Sequence, residues 1–276
     1  ISTGSEIAQI LDPAAAGKPI LVIDDIEMNR MIASRQLQQL GLSHDLTTNG
    51  SEGLAAACKG DYALILADVS MPVMDGYEFT ARWRDWESRE GAGRTQVPVI
   101  AMTANATSSD AERCVAAGMD DYMSKPVTLD RMSAMILKWI GSGAVTSGEP
   151  KPATGSKALL DELSPIDLSV LASIIGSDDR DLLLQMADLF VSTFPGLQTR
   201  IEQAIDNQDR GELREAAHAA KGASRNAGAT PLGDILYEIE EGAANLDLAD
   251  LRDLADQAAK EFGRILKTLE AEQQGQ

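Results

Sequence analysis

A doubly wound α/β domain followed by an all-α domain is the architecture this sequence predicts, and three features of the chain predict it. From Pro19 to Gly141, short apolar runs alternate with segments of helical period. A stretch rich in Gly, Ser, Pro and Thr, without apolar periodicity, comes next. Beyond it the strand signals stop and long helical segments remain. Alternating strands and helices imply a parallel sheet with helices on both faces, whereas successive helical periods imply a bundle. At 276 residues the chain is long enough for two such domains, each with its own core.

Residues 1–17 mix Ser, Gly, Ala and Pro and read as an N-terminal tether, with one helical turn in EIAQIL. The first domain is expected over residues 18–141. Its strands are ILVI, HDLTT, YALILA, VPVIAM and DYMSK, which makes a five-stranded sheet. Its helices are MNRMIASRQLQQLG, SEGLAAACKG, GYEFTARWRDWES, SSDAERCVAAG and LDRMSAMILKWIG. Continuous apolar runs such as ILVI and ALILA are the pattern of strands buried on both faces. Residues 142–157 are the expected flexible linker, and such a length spans roughly 20–25 Å root-mean-square. Residues 158–272 predict an antiparallel bundle of four longer helices behind a short leading one. Pro195 falls inside the first long helix and predicts a kink or a break there.

Hydrophobic residues at 44% and charged residues at 24% are those of a soluble globular protein. A net charge of -19 argues against nucleic acid as a partner, because affinity for a phosphate backbone comes largely from Lys and Arg. Cys58 and Cys114 lie far apart on helical patterns, with no CxxC, and are expected to be reduced packing residues in a cytoplasmic protein. No apolar run approaches a membrane span, so no direct membrane contact is expected of this segment, and no secretory signal is present. The chain starts at Ile1 rather than Met, which suggests a piece of a longer polypeptide.

The stretch ALILADVSMPVMDG, from Ala63 to Gly76, ends an apolar strand in Asp68. In open α/β sheets that edge is where ligands bind. A lone Asp there is as readily a cap or a turn residue, but this one has company. Strand one ends in Asp24 and Asp25, strand four in Thr103, and strand five in Lys125 before Pro126. Three crowded carboxylates are costly without a cation, and a hard divalent ion such as Mg²⁺ is the natural remedy. The set of metal, carboxylate nucleophile, hydroxyl and ammonium is what phosphoryl transfer needs.

Residues 18–141 resemble the receiver domain of two-component response regulators, particularly the receivers of hybrid histidine kinases. ILVIDDIEMNR, LILADVSMPVMDG, VIAMTA and GMDDYMSKP carry the resemblance, in the family's order. It implies a flavodoxin-like fold with Asp68 as phosphoacceptor. It further implies Mg²⁺ on Asp25, Asp68 and the backbone carbonyl of Ser70, with Asp24 acting largely through water. Thr103 and Lys125 are then expected to contact the phosphoryl group, Tyr122 to be the aromatic switch, and Lys125–Pro126 to be cis. Phosphatases of the haloacid dehalogenase class use similar chemistry, but they place the nucleophile in a DxD motif ahead of the acidic pair. Here the pair comes first and Asp68 is followed at two residues by Ser70.

The chain has two histidines. His44 starts a short strand and reads as structural. On a helical wheel of LREAAHAAKGASRNAG, Leu213, Ala217, Ala220, Ser224 and Ala227 face the core. His218 then points to solvent, with Arg214, Lys221 and Arg225 on its side, a cationic surround suited to phosphoryl oxygens. Gly222 leaves room for another protein's surface. An exposed His among ordinary helix charges is the plain alternative. AHAAKGASRNAGA resembles the histidine phosphotransfer motif, in which Lys and Gly follow the histidine at three and four residues. The resemblance implies that His218 is phosphorylated on a ring nitrogen, with Lys221 close by.

The two resemblances together imply a phosphorelay segment from the C-terminal part of a hybrid sensor kinase. Asp68 is expected to receive a phosphoryl group from a histidine kinase core, in the same parent chain or a separate one. His218 is expected to pass it to a downstream response regulator. No kinase core is present in the sequence. The expected location is cytoplasmic, including as the cytoplasmic part of a membrane-bound sensor. A second reading makes the helical domain a docking or inhibitory module over the receiver. On the helix after Asp25, Ala33, Leu37 and Leu40 form the core face, and Met28 and Met31 are expected on the surface that receives a helical partner.

Overall fold

The computed structural model describes residues 11–90, 95–103, 108–142 and 164–274. The chain divides into two units, Ile1–Ser147 and Gly148–Gln276. The expected linker, Ser142 apart, and residues 1–10 of the expected tether lie outside the described residues.

In the first unit five strands alternate with five helices: β1 (Ile20–Ile23), α1 (Glu27–Gln39), β2 (His44–Thr47), α2 (Gly50–Lys59), β3 (Leu64–Asp68), α3 (Gly76–Glu90), β4 (Val99–Thr103), α4 (Ser108–Ala117), β5 (Asp121–Ser124) and α5 (Leu129–Ile140). The strands form one parallel sheet in the order β2-β1-β3-β4-β5. β1, β3 and β4 are buried along their whole length, as their unbroken apolar sequences require. Side chains leave each strand alternately, so Val22, Leu66 and Met102 join a core with α1 and α5, while Ile23, Ala67 and Ala101 join another with Phe79 and Trp83 of α3. α1 leaves β1 on one face and α3 leaves β3 on the other, although β1 and β3 are neighbours. The chain therefore diverges beyond their carboxyl ends, which opens a crevice there.

Two surface expectations change in this unit. Met28 is fully buried; only Met31, 39% exposed, faces outward. α1 lies on the sheet over an arc that includes Met28 and Ile32 as well as Ala33 and Leu37, wider than the stripe of Ala33, Leu37 and Leu40. Residues 11–17 are also more than a tether. Leu11 bridges Gly141, Asp12 N–H donates to the Ile140 carbonyl at 2.8 Å, and Ala15 is buried in the core.

The second unit is helical: α6 (Leu168–Ile175), α7 (Arg180–Asp206), α8 (Arg210–Asn226), α9 (Thr230–Gly242) and α10 (Leu248–Gln274). The side chains of Asp167, Asp179 and Asp209 accept N–H bonds at the starts of α6, α7 and α8. The four longer helices close a ring in which α8 packs on α7 and α9, and α10 on the same two. Phe194 stacks on Phe262 at 4.6 Å, and Phe190 meets the Phe262 ring edge-on at 6.1 Å. The break at Pro195 does not occur: α7 continues through it to Asp206. Pro195 faces solvent, where water can reach the carbonyl it leaves without an amide partner. Phe190 and Phe194 before it and Ile201 and Ala204 after it are buried, holding both halves of the helix to one core.

Phe194→Ala is expected to destabilise the helical unit by about 3–5 kcal/mol, because the stacked ring cannot be replaced without a cavity. Urea titration of the chain checks this, with the first unit's transition unmoved.

Candidate functional site

Backbone register brings the carboxyl ends of β1, β3, β4 and β5 to one edge, with Ile23 paired to Ala67, Asp68 to Met102, and Thr103 to Ser124. Asp24, Asp68, Thr103 and Lys125 follow or end these strands, and their close grouping follows from the sheet. Gly76 tightens the turn after Asp68: its N–H donates to the Val69 carbonyl at 3.0 Å, and a Cβ there would sit 2.3 Å from the Asp68 carbonyl oxygen. Only glycine allows that approach. Val73 in the same turn takes φ 71, an uncommon conformation for a β-branched residue, and is 84% exposed.

Lys125 Nζ lies between two buried carboxylates, 2.6 Å from Asp68 Oδ2 and 2.7 Å from Asp24 Oδ2. The peptide bond from Lys125 to Pro126 is cis. Asp24 is saturated by the protein: the Ile26 N–H donates to Oδ1 at 2.9 Å, and Asn29 Nδ2 donates to Oδ1 at 3.0 Å and Oδ2 at 3.1 Å. Arg30 holds the Asp24 backbone carbonyl at 2.8 Å. Asp25 is the opposite case, because its Oδ1 is buried with no hydrogen-bond partner. Asp68 Oδ1 receives one long bond, from the Ser70 N–H at 3.4 Å.

Burial, then the charges of Asp68 and Asp24, push the Asp25 carboxyl up to about 7. Burial likewise raises Asp24, with Asp68 adding and Lys125 opposing. Burial alone would lower the Lys125 ammonium, but Asp24 and Asp68 more than offset it and hold Lys125 charged. One ammonium thus faces three carboxyl groups, and ligand oxygens of Asp24, Asp25 and Asp68 lie within 4.8 Å of one another. The orphaned Asp25 oxygen and the residual negative charge fit a hard cation held by Asp25 and Asp68.

Thr103 is buried at the end of β4, and its carbonyl accepts the Lys125 N–H at 2.7 Å. Ser70 is exposed. Tyr122 is half-buried and packs on the core beneath α3. His44 bonds Ser34 Oγ at 2.8 Å, the structural role expected of it.

The second constellation departs from the wheel. α8 is buried nearly all round, since Ala216, Ala219, Lys221, Gly222 and Ala223 join the expected core face. His218 is only 20% exposed rather than projecting freely. Its Nδ1 lies 2.8 Å from Glu240 Oε1 on α9. Lys221, expected on the surface, is fully buried and ion-paired with Glu240 Oε2. Small residues let α8 and α9 approach closely, and this turns Lys221 inward to a buried acid. Arg225 is engaged too, 3.3 Å from Asp234 and over the Tyr237 ring, while Arg214 remains exposed. A Cβ on Gly222 would meet nothing within 4 Å.

Burial alone would raise the Glu240 carboxyl, but the bonds and charges of His218 and Lys221 outweigh it and hold it below the usual range. An ionised carboxylate only accepts, so Nδ1 is the ring nitrogen that donates to Glu240, and it is the neutral ring that leaves its lone pair on Nε2. Glu240, which bonds His218, and Asn29, which bonds Asp24, are not among the residues expected from the sequence. Glu240 lies 22 residues from His218, and only helix pairing brings the two together. Asn29 was visible five residues after Asp24, on the first turn of a helix following the strand end.

Two family models match this chain. The response regulator receiver domain matches residues 20–137, and the Hpt domain matches residues 185–273. Among curated proteins it is similar to the sensor protein GacS of Pseudomonas syringae pv. syringae, 28% identical over 82% of this chain and 24% of that one. It is similar to the aerobic respiration control sensor protein ArcB of Escherichia coli K12, 29% identical over 80% of this chain and 27% of that one. The chain thus spans about a quarter of the length of these relatives. Among solved structures it is similar to the receiver domain of sensor histidine kinase PA1611 from Pseudomonas aeruginosa PAO1, which has a magnesium ion coordinated in its active site cleft. Identity there is 35%, with a TM-score of 0.40, covering 45% of this chain and 98% of that one.

Glu240→Gln is expected to destabilise the helical unit at pH 7 by about 3–5 kcal/mol, because Lys221 is left buried without a counter-charge. A carboxyl held below its ordinary 4.5 contributes stability above that pH and loses it as pH falls through the folded-state value. The gap between wild type and variant should therefore shrink toward pH 3, as read by urea titration at each pH.

Proposed function

We propose, for a chain that joins a response regulator receiver domain to an Hpt domain, that it relays a phosphoryl group through Asp68 and His218. The observation that carries the reading is the pair of complementary nucleophiles. Asp68 is a carboxylate set against an ammonium, and His218 is an imidazole whose Nε2 lone pair is fixed by a carboxylate on Nδ1.

An Asp68 oxygen attacks phosphorus on a donor phosphohistidine. The bond from phosphorus to the donor nitrogen breaks, and an acyl phosphate forms. Lys125 stays beside Asp68 and offsets charge on the phosphoryl oxygens, with the Thr103 hydroxyl a second donor to them. Asp25, Asp68 and the Ser70 carbonyl would hold Mg²⁺, whose chemistry there is to neutralise charge on the transferring group. Asp24 keeps Lys125 in place, and Tyr122 is the residue whose packing responds to phosphorylation. In the second transfer His218 Nε2 attacks phosphorus, the bond to the Asp68 oxygen breaks, and its electron pair returns to the carboxylate. The Nδ1 proton remains in the bond to Glu240, whose carboxylate stabilises the positive charge that develops on the ring.

Arg214 and Arg225 lie on the helix that carries His218, and with Met31 they are the surface residues offered to partner domains, while Gly222, buried on the same helix, leaves space where a side chain would stand. Lys221 acts from beneath through Glu240. The source of the phosphoryl group is a histidine kinase core and its acceptor a separate response regulator, as the sensor proteins among the relatives suggest. The parent is then a hybrid sensor kinase, with this segment on the cytoplasmic side. Receiver, linker and phosphotransfer domain are assigned to residues 18–141, 142–157 and 158–272.

Incubation with Mg²⁺ and acetyl phosphate, followed by intact-mass and acid-stability analysis, tests the reading. Wild type should gain acid-labile phosphohistidine, Asp68→Ala should gain none, and in His218→Ala the phosphoryl group should stop on Asp68. Phosphohistidine formed as fast in Asp68→Ala as in wild type contradicts it. A second measurement concerns the metal. With the Asp25 carboxyl at about 7, protons compete with Mg²⁺ below that pH, so affinity should weaken up to about tenfold per unit on acidification and level off above it. Calorimetric titrations between pH 5.5 and 8 check this.

A further inference from the structure

At the opposite edge of the sheet, where the strands begin, the receiver carries a cavity of about 610 Å³. That size is within the range of small-molecule sites. Its floor includes Lys18, Ala63 and Pro98 ahead of or beside the strand starts, and Asp12 and Ile140 line one side. Trp83 and Trp86 of α3 line another, stacked with ring centroids 5.1 Å apart and 14° between planes. Trp83 is 3% exposed, yet its indole Nε1 has no hydrogen-bond partner. A buried indole N–H ordinarily finds an acceptor.

Charge narrows what could supply that acceptor. Among the described residues, both cations lining the cavity are committed. Lys18 Nζ lies 3.0 Å from Asp61, and Arg84 pairs with Glu87 and, at 2.5 Å, with Asp120. Asp12 adds another carboxylate to the lining. The cavity therefore disfavours phosphates and other anions, and its paired indoles favour a flat ring system.

We propose that this cavity binds a planar heteroaromatic small molecule, neutral or cationic, whose face lies against Trp86, the accessible member of the stacked pair, and toward whose ring acceptor a small turn of the buried Trp83 indole brings its unpartnered Nε1–H. None of the residues invoked belongs to the Asp68 constellation, so the site stands apart from the relay. One side of it is the segment in which the Asp12 N–H bonds the Ile140 carbonyl at 2.8 Å and Leu11 bridges Gly141. A ligand there would hold together the places where the chain enters and leaves the receiver.

The chain has three tryptophans, so its amide spectrum holds three indole signals, assignable by Trp83→Phe, Trp86→Leu and Trp139→Phe. If Trp83→Phe fails to fold, the other two variants assign Trp83 by elimination. Adenosine and riboflavin are the probes, titrated into the full chain, with adenosine monophosphate as the charged counterpart. The proposal expects at least one neutral probe to shift the Trp83 indole signal saturably and to slow amide exchange over residues 12–16. Adenosine monophosphate should bind at least tenfold more weakly than adenosine, and Trp86→Leu should weaken the neutral probe at least tenfold while phosphoryl labelling of Asp68 is unchanged. An unmoved Trp83 signal with both neutral probes overturns the proposal. Equal binding of the monophosphate, or unchanged binding to Trp86→Leu, overturns it as well.

Discussion

The receiver unit is organised around one ammonium between two buried carboxylates. Lys125 reaches Asp24 at 2.7 Å and Asp68 at 2.6 Å, and those three residues come from the ends of three strands. A buried pair of like charges is costly, and a cation between them removes most of that cost only if the strands hold register. The apolar runs of β1, β3 and β4 supply the register by packing into cores on both faces of the sheet. One carboxyl is left over by this arrangement: Asp25, buried with an orphaned oxygen and pushed up by burial and its neighbours' charges, fits a further cation.

The helical unit solves the matching problem with the charges reversed. The group proposed to accept the phosphoryl group there is an imidazole, and its buried partner is a carboxylate. Glu240 is shared between His218 on one oxygen and Lys221 on the other. His218 and the buried lysine together hold Glu240 low, and the ionised Glu240 accepts from Nδ1, which in the neutral ring leaves Nε2 as the free nitrogen. Lys221 thereby reaches the histidine at one remove, through a shared partner rather than by direct contact.

Much of this was legible in the sequence because it depends on local order. Asp24, Asp68, Thr103 and Lys125 each end a strand, and parallel strands of similar length bring such ends together whatever their separation in the chain. Glu240 was not legible, since its role depends on how α8 and α9 face each other across small residues, which a wheel of α8 alone cannot express. The same limit explains Lys221 and Met28. A helical wheel assigns one buried stripe, whereas α8 is covered by neighbours on nearly every side and α1 rests on a broad sheet. Of the kink or break expected at Pro195, the break does not occur, because the phenylalanine core on either side holds α7 continuous through it.

A pulse-chase of radiolabelled phosphate tests the central claim most directly. The full chain is labelled briefly from acetyl phosphate with Mg²⁺, the donor is removed, and alkali-labile acyl phosphate is followed separately from acid-labile phosphoramidate. The account predicts that label leaves the first pool and appears in the second, with the two initially changing in equal amounts. Loss of the acyl phosphate to inorganic phosphate alone, with the phosphoramidate pool flat throughout, would contradict transfer from Asp68 to His218.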